Sequence, residues 1–302
     1  MKRLNSAVRR FIRSSQVKKA ALTSGAAEEF ASAYVGGHTV GDALRVTETL
    51  HNQGLLVSLV YLSSADDEAD TPAVLSTLLA EAGDAARGVE LSVKPSSLGL
   101  REDRASAQSR LLDLCSEADA RGAVVTLEMQ GTEHYDDTLA LWRAVHERFE
   151  TLGITLPADI RRSERDVTRI AAEQGRVRLC VGSYPVPPAE SFRSEREKSL
   201  AFVRCIRRAM EDGAYPMVAT HDPTIIAITQ DLARRNGVGP TNYEHQMFYG
   251  VRPLEQRRLT DIGLRSRTYV PFGPGWFEYL TTRISARPRV IFSYLRAIAD
   301  KR

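Results

Sequence analysis

Short β-rich runs alternate with helical stretches eight times along this chain, and that alternation constrains the fold more than any other feature. The runs span residues 55–62, 89–94, 123–129, 154–160, 177–184, 217–221, 243–248 and 266–272. Helical patterns lie between them, among them 71–86, 104–120, 138–152, 196–212 and 224–236. Strand starts recur roughly every 25–40 residues, the length of a βα unit. Such alternation predicts a parallel sheet. Eight units without a glycine-rich nucleotide fingerprint predict an α/β protein closed into a (βα)8 TIM-type barrel, rather than an open doubly wound sheet. Gly88, Gly122 and Gly153 stand just ahead of three strands, where a left-handed helix cap is expected.

At 302 residues the chain has the length of one such barrel. Its 41 basic and 38 acidic residues are too evenly balanced for a nucleic-acid binder. Cys115, Cys180 and Cys205 are odd in number and form no CxxC, so reduced thiols and a cytoplasmic setting are expected. No apolar run reaches the roughly 20 residues of a membrane span. The first 19 residues hold Lys2, Arg3, Arg9, Arg10, Arg13, Lys18 and Lys19, with no acid before Glu28. That segment reads as a helical arm outside the barrel or as an amphipathic helix on anionic lipid, a peripheral membrane contact. The expected division is an arm over 1–40 and a barrel over 41–302. The Gly36–Gly41 stretch lacks a P-loop lysine and reads as a turn, and neither GxSxG nor HExxH occurs.

In barrel enzymes the site lies at the carboxyl ends of the strands. Here those ends carry Lys94, Glu128 with Gln130, and Asp159 with Arg161. They continue with Arg178, Ser183 and Tyr184, then Thr220, His221 and Asp222, then Glu244 with Gln246, then Tyr269. A parallel strand covered on both faces should be apolar throughout. Polar ends on seven of the eight strands therefore demand partners or a ligand. The last unit adds an aromatic helix, Trp276–Ala286, with Arg283 in its final turn and Pro288 beyond it. Arg283 caps carbonyls there, or it reaches over the barrel mouth to a substrate carboxylate.

Several blocks together resemble the proline dehydrogenase family. They are Leu91-Ser92-Val93-Lys94-Pro95, Arg178-Leu179-Cys180-Val181-Gly182-Ser183-Tyr184, and Thr220-His221-Asp222-Pro223. Further blocks are Tyr243 through Arg252, Tyr269-Val270-Pro271-Phe272-Gly273, and Trp276 through Arg283 to Pro288. The resemblance covers most of the chain after about residue 40. It implies a distorted barrel whose last helix covers the mouth, and an enzyme that passes a hydride equivalent from proline to FAD and electrons on to a quinone. By position, Lys94, Glu128, Tyr269 and Arg283 resemble substrate-side catalytic residues. Arg178, Ser183, Thr220, His221 and Gln246 resemble flavin contacts. A cation near the flavin would stabilise the charge that develops on reduction.

The pattern also departs from the family. Val181 stands where the family has a lysine, Pro157 where it has a glutamine, and Thr282 where a first arginine precedes the second. Glu128 replaces an aspartate, and Ala286 an acidic residue. Each lost charge-assisted contact is worth about 1.5–3 kcal/mol. Two alternatives therefore stay open beside the flavoenzyme. One is a barrel that has lost FAD and uses Lys94, Glu128, His221 and Tyr269 for acid–base chemistry on an amino-acid-derived substrate, with a variant placing a metal on Glu128, His221 and Glu244. The other is a binding protein without catalysis.

Overall fold

The computed structural model describes residues 31–64, 70–182, 184 and 186–286, with side chains as far as Thr281. The basic segment 1–30, Ser183 and the Arg283 side chain lie outside the described residues.

Eight parallel strands close into a barrel in chain order. They are β1 (Leu56–Tyr61), β2 (Glu90–Val93), β3 (Val124–Leu127), β4 (Gly153–Pro157), β5 (Arg176–Cys180), β6 (Tyr215–Ala219), β7 (Glu244–Phe248) and β8 (Ser266–Phe272). Closure is made by β1 and β8, paired from Leu56↔Arg267 to Tyr61↔Phe272. The surrounding helices are α1 (Val40–His51), α2 (Thr71–Ala82), α3 (Arg104–Asp119), α4 (Tyr135–His146), α5 (Ser163–Ala172), α6 (Glu195–Glu211), α7 (Pro223–Arg235), α8 (Pro253–Asp261) and α9 (Trp276–Ala286). Among the described residues no helix is long and apolar enough to cross a membrane.

Local chemistry sets the helix starts. Ser194 and Glu197 form a reciprocal capping box on α6. Asp222 accepts from the Thr224 N–H ahead of α7, with Pro223 at the first helical position. Gly88 and Gly122 do have positive φ, at 78° and 67°. Gly153 does not. It is the first residue of β4, and a Cβ there would lie 2.5 Å from Thr126 Oγ1, so it is glycine because the barrel interior leaves no room.

The strands alternate. Leu59, Leu91, Val93, Leu127, Ile154, Leu156, Val177, Leu179, Val218 and Val270 are buried in one large apolar core with the helices. Burying each such side chain stabilises the fold by about 1.5–3 kcal/mol. Ser58, Glu90, Ser92, Thr126, Arg178, Glu244, Gln246 and Arg267 face the barrel axis instead, all buried. The expectation of strands apolar on both faces therefore fails here: the lumen is polar and charged. Strand β5 also ends at Cys180, short of the expected 184, because the Gly182 N–H turns to Asp159 Oδ1 at 2.7 Å.

Ahead of α1, the Gly36 N–H donates to Pro271 O (2.7 Å) and Gly37 O accepts from the Gly273 N–H (3.0 Å). Ala31, Tyr34 and Val35 pack with Leu62, Trp276 and Leu280 in a second apolar cluster. This ties the segment before α1 to the end of β8 and to α9, which sits at the barrel mouth with Tyr279 within electrostatic range of Tyr269.

Candidate active site

Arg178 organises the lumen. Sequence reasoning places it among the strand-end residues, but it sits mid-strand in β5, 4% exposed. Its Nε donates to Gln246 Oε1 (2.7 Å), Nη1 to Ser92 Oγ (2.7 Å), and Nη2 to Ser58 Oγ (3.3 Å) and to Glu90. Burial alone would raise the Glu90 pKa, but the charges of Arg178 and Arg267 more than offset it and hold the carboxyl below its ordinary value. Burial disfavours the Arg178 cation, and the Glu90 carboxylate restores it.

Glu244 is corrected in the same way. It starts β7 deep in the barrel, and Arg267 takes it in a two-pronged contact at 2.7 and 3.1 Å. Gln246 Nε2 donates to Glu244 Oε1 at 2.6 Å. A continuous path thus runs from Glu244 through Gln246 to Arg178.

Above this layer stand the mouth residues. The Tyr269 hydroxyl donates to Glu128 Oε1 at 2.5 Å, and Ser92 Oγ donates to the same oxygen at 2.9 Å. The Arg178 guanidinium lies 5.5 Å from the Tyr269 ring centre. Burial, and next the Glu128 charge, push the Tyr269 pKa well above its ordinary value. Tyr269 is therefore a fixed proton donor and cannot act as a base. Phe248 packs on Tyr269 with ring centres 5.5 Å apart, and His221 packs on Phe248 at 5.0 Å. His221 Nε2 accepts the Phe248 N–H at 2.9 Å, which puts the imidazole proton on Nδ1 when the ring is neutral. Arg252 Nη1 donates to His221 O at 2.7 Å. The Thr220 N–H donates to Gln246 O at 3.2 Å.

Lys94 follows β2 directly and is half-buried, beside Glu128, whose N–H donates to Val93 O at 2.8 Å. Arg178, Tyr269, Glu128, His221, Thr220, Gln246 and Lys94 are thus gathered at or below one end of the barrel. Arg283 lies in the last turn of α9. Among the described residues no group of three or more His, Cys, Asp and Glu side chains stands ready for a metal. The arrangement set out for Glu128, His221 and Glu244 fails because Arg267 takes up Glu244 below the mouth.

Sequence reasoning missed Glu90, Ser58, Arg267 and Thr155. Their signal is period two within each run: Glu90-x-Ser92-x-Lys94, Arg176-x-Arg178-x-Cys180, Glu244-x-Gln246 and Arg267-x-Tyr269. Thr155 is the register partner of Arg178, so both face the lumen. Its Oγ1 is buried without a hydrogen-bond partner.

A closed parallel barrel with ionised residues and a fixed donor at its carboxyl end is the plan of barrel enzymes. No family model matches the chain. Curated relatives do. The chain is 32% identical over 272 residues to proline dehydrogenase 1 of Bacillus subtilis (strain 168), covering 89% of this chain and 90% of the relative. It is 28% identical over 272 residues to the proline dehydrogenase of Deinococcus radiodurans, covering 86% of each. The chain belongs to the proline dehydrogenase family. Solved structures agree on the fold. Proline utilization A from Bdellovibrio bacteriovorus, inactivated by N-propargylglycine, superposes with a TM-score of 0.76 at 20% identity, over 85% of this chain and 32% of that one. Proline utilization A from Corynebacterium freiburgense gives 0.72 at 18%, over 98% and 34%. The chain spans about a third of those longer proteins.

Proposed function

We propose that this protein oxidises the C–N bond of L-proline or a closely related cyclic amine, with FAD held at the barrel mouth. The observation that carries this reading is the unpartnered Thr155 hydroxyl beside Arg178, within a family named for proline oxidation. A buried hydroxyl without a partner costs free energy unless a ligand completes it. The donor set also suits a flavin: the Arg178 cation, the Gln246 carboxamide, Thr220, and His221 with its proton on Nδ1. These residues, with Ser183, would hold it.

When bound there, FAD would supply the acceptor for the substrate's hydride equivalent. The chain's own residues do the rest. Arg178, kept cationic by Glu90, supplies positive charge under the mouth. Tyr269 keeps its proton and lends its hydroxyl to Glu128, which fixes both side chains. Lys94, Glu128, Tyr269 and Arg283 orient the substrate, with Arg283 paired to its carboxylate. The apolar Val181 and Pro157 narrow the polar set, and the single Arg283 fits a substrate with an altered or absent carboxylate. A quinone-class acceptor would take the electrons from the flavin. The three cysteines suit a cytoplasmic location, and the basic residues within 1–19 suit a peripheral contact with an anionic membrane surface.

Purified protein incubated with FAD should reduce an artificial dye when L-proline is added. No dye reduction with proline or with its ring analogues would refute the assignment.

A further inference from the structure

The opposite, amino-terminal face of the barrel has features that proline oxidation does not use. A cavity of about 410 Å³ opens there, lined by residues that include Arg176, Arg265, Ser266 and Arg267, with Leu56 and Leu264 as apolar wall. Gly54, Gly88 and Gly263 line it too. The cations are unequally satisfied. Arg267 is saturated: it holds Glu244 and donates through Nη1 to Val57 O and Gly88 O, both at 2.9 Å. Arg178 holds Glu90. That leaves Arg176 and Arg265 sharing what remains.

Arg176 is 3.9 Å from a Glu90 oxygen already bonded to Thr126, its Nη2 reaches the Met217 thioether at 3.6 Å, and its guanidinium lies 4.8 Å from the Tyr215 ring centre. Its Nε is buried without a partner. Arg265 Nη1 meets a neutral acceptor, Tyr215 Oη, at 3.2 Å. Among the described residues it has no carboxylate partner. Ser266, 1% exposed, also lines the cavity. A guanidinium whose nearest carboxylate oxygen is 3.9 Å away, its unpartnered buried Nε, and an exposed guanidinium with no carboxylate partner among the described residues share one concave site. Arg176 is largely withdrawn from water and so calls for a compensating charge, while Arg265 stands exposed at the rim of the same cavity.

We infer that this cavity is a binding site for a small oxyanion, a phosphate or carboxylate group carried on a compact apolar body, held by Arg176 and Arg265. A guanidinium fork matches both head groups, and phosphate offers more charge and a further acceptor oxygen. Leu56 and Leu264 would take the apolar body. The site lies at the far end of the barrel from the mouth and owes nothing to the flavin.

The test uses the full chain and four probes: inorganic phosphate, phenyl phosphate, benzoate, and sodium chloride at matched ionic strength. Calorimetric titration and thermal melts should show saturable binding of phosphate or benzoate that chloride does not reproduce. Phenyl phosphate should bind more tightly than inorganic phosphate. Phenyl phosphate against benzoate decides which head group is preferred. Arg265→Gln, at an exposed position, should weaken binding roughly tenfold or more, the loss expected for one charge-assisted contact. Arg265→Lys should recover part of it. No saturable heat with any of the three oxyanions, or Arg265→Gln titrating like the unaltered protein, would overturn the assignment.

Discussion

Replacing Arg178 with methionine tests the lumen most severely. The substitution removes the contacts to Gln246, Ser92 and Ser58 and, above all, the cation facing Glu90. Glu90 is fully buried and keeps Thr126 at 2.7 Å, the nearby charge of Arg267 and the more distant Arg176 at 3.9 Å. Stripping one partner from a buried ion pair costs about 3–5 kcal/mol. The sign with pH follows from Glu90. In the intact protein its pKa lies below the ordinary 4.5, so its contribution is present above that pH and lost as the pH falls. Without Arg178 the folded-state pKa moves up, and the variant's deficit relative to the intact protein grows as the pH rises. Urea unfolding followed by circular dichroism between pH 4 and 8 reads this directly. The double variant Arg178→Met with Glu90→Leu should recover most of the loss, because it buries no unpaired charge. A deficit below about 1 kcal/mol, a deficit independent of pH, or a double variant no better than the single one would refute the reasoning.

Other outcomes follow from particular residues. His245 is buried with neither ring nitrogen bonded, and burial holds its pKa down at about 4 against an ordinary 6.5. A depressed histidine loses stability as the pH falls, here by about 3 kcal/mol between pH 6.5 and 4. His245→Phe should flatten that acid limb in unfolding curves, and parallel limbs would rule this out. Thr155→Val should leave the flavin-free protein equally stable or up to about 1 kcal/mol more stable, yet lower FAD retention on gel filtration. Unchanged retention would remove Thr155 from the flavin site. Gly250 has φ +73°, and a Cβ there would lie 1.9 Å from Ala33 O. Gly250→Ala should therefore cost about 2 kcal/mol or more in thermal melts, and a neutral result would show that the segment before α1 does not dock as described.

The eight strands were legible because each is a compact β-rich run between helical stretches, and all eight fall within the observed barrel. Family membership was legible from the blocks around Arg178, Thr220 and Tyr269. The lumen was not. Glu90 and Arg178 are 88 positions apart, and their pairing exists only once β1 meets β8 and the barrel closes. Reading strands as buried on both sides also hid the inward row of Ser58, Glu90, Ser92 and Thr126, which the period-two spacing encodes. Gly153 looked like a cap from its neighbours alone, but the reason for it is Thr126 on the adjacent strand.

The central claim is that the residues gathered at the mouth hold a flavin that proline can reduce. Anaerobic titration of the FAD-loaded protein with L-proline tests it most directly. The account predicts a protein-bound flavin band that bleaches as proline is added and returns with an electron acceptor. A protein that stays colourless after incubation with FAD, or a bound flavin whose band no amount of proline changes, would contradict it.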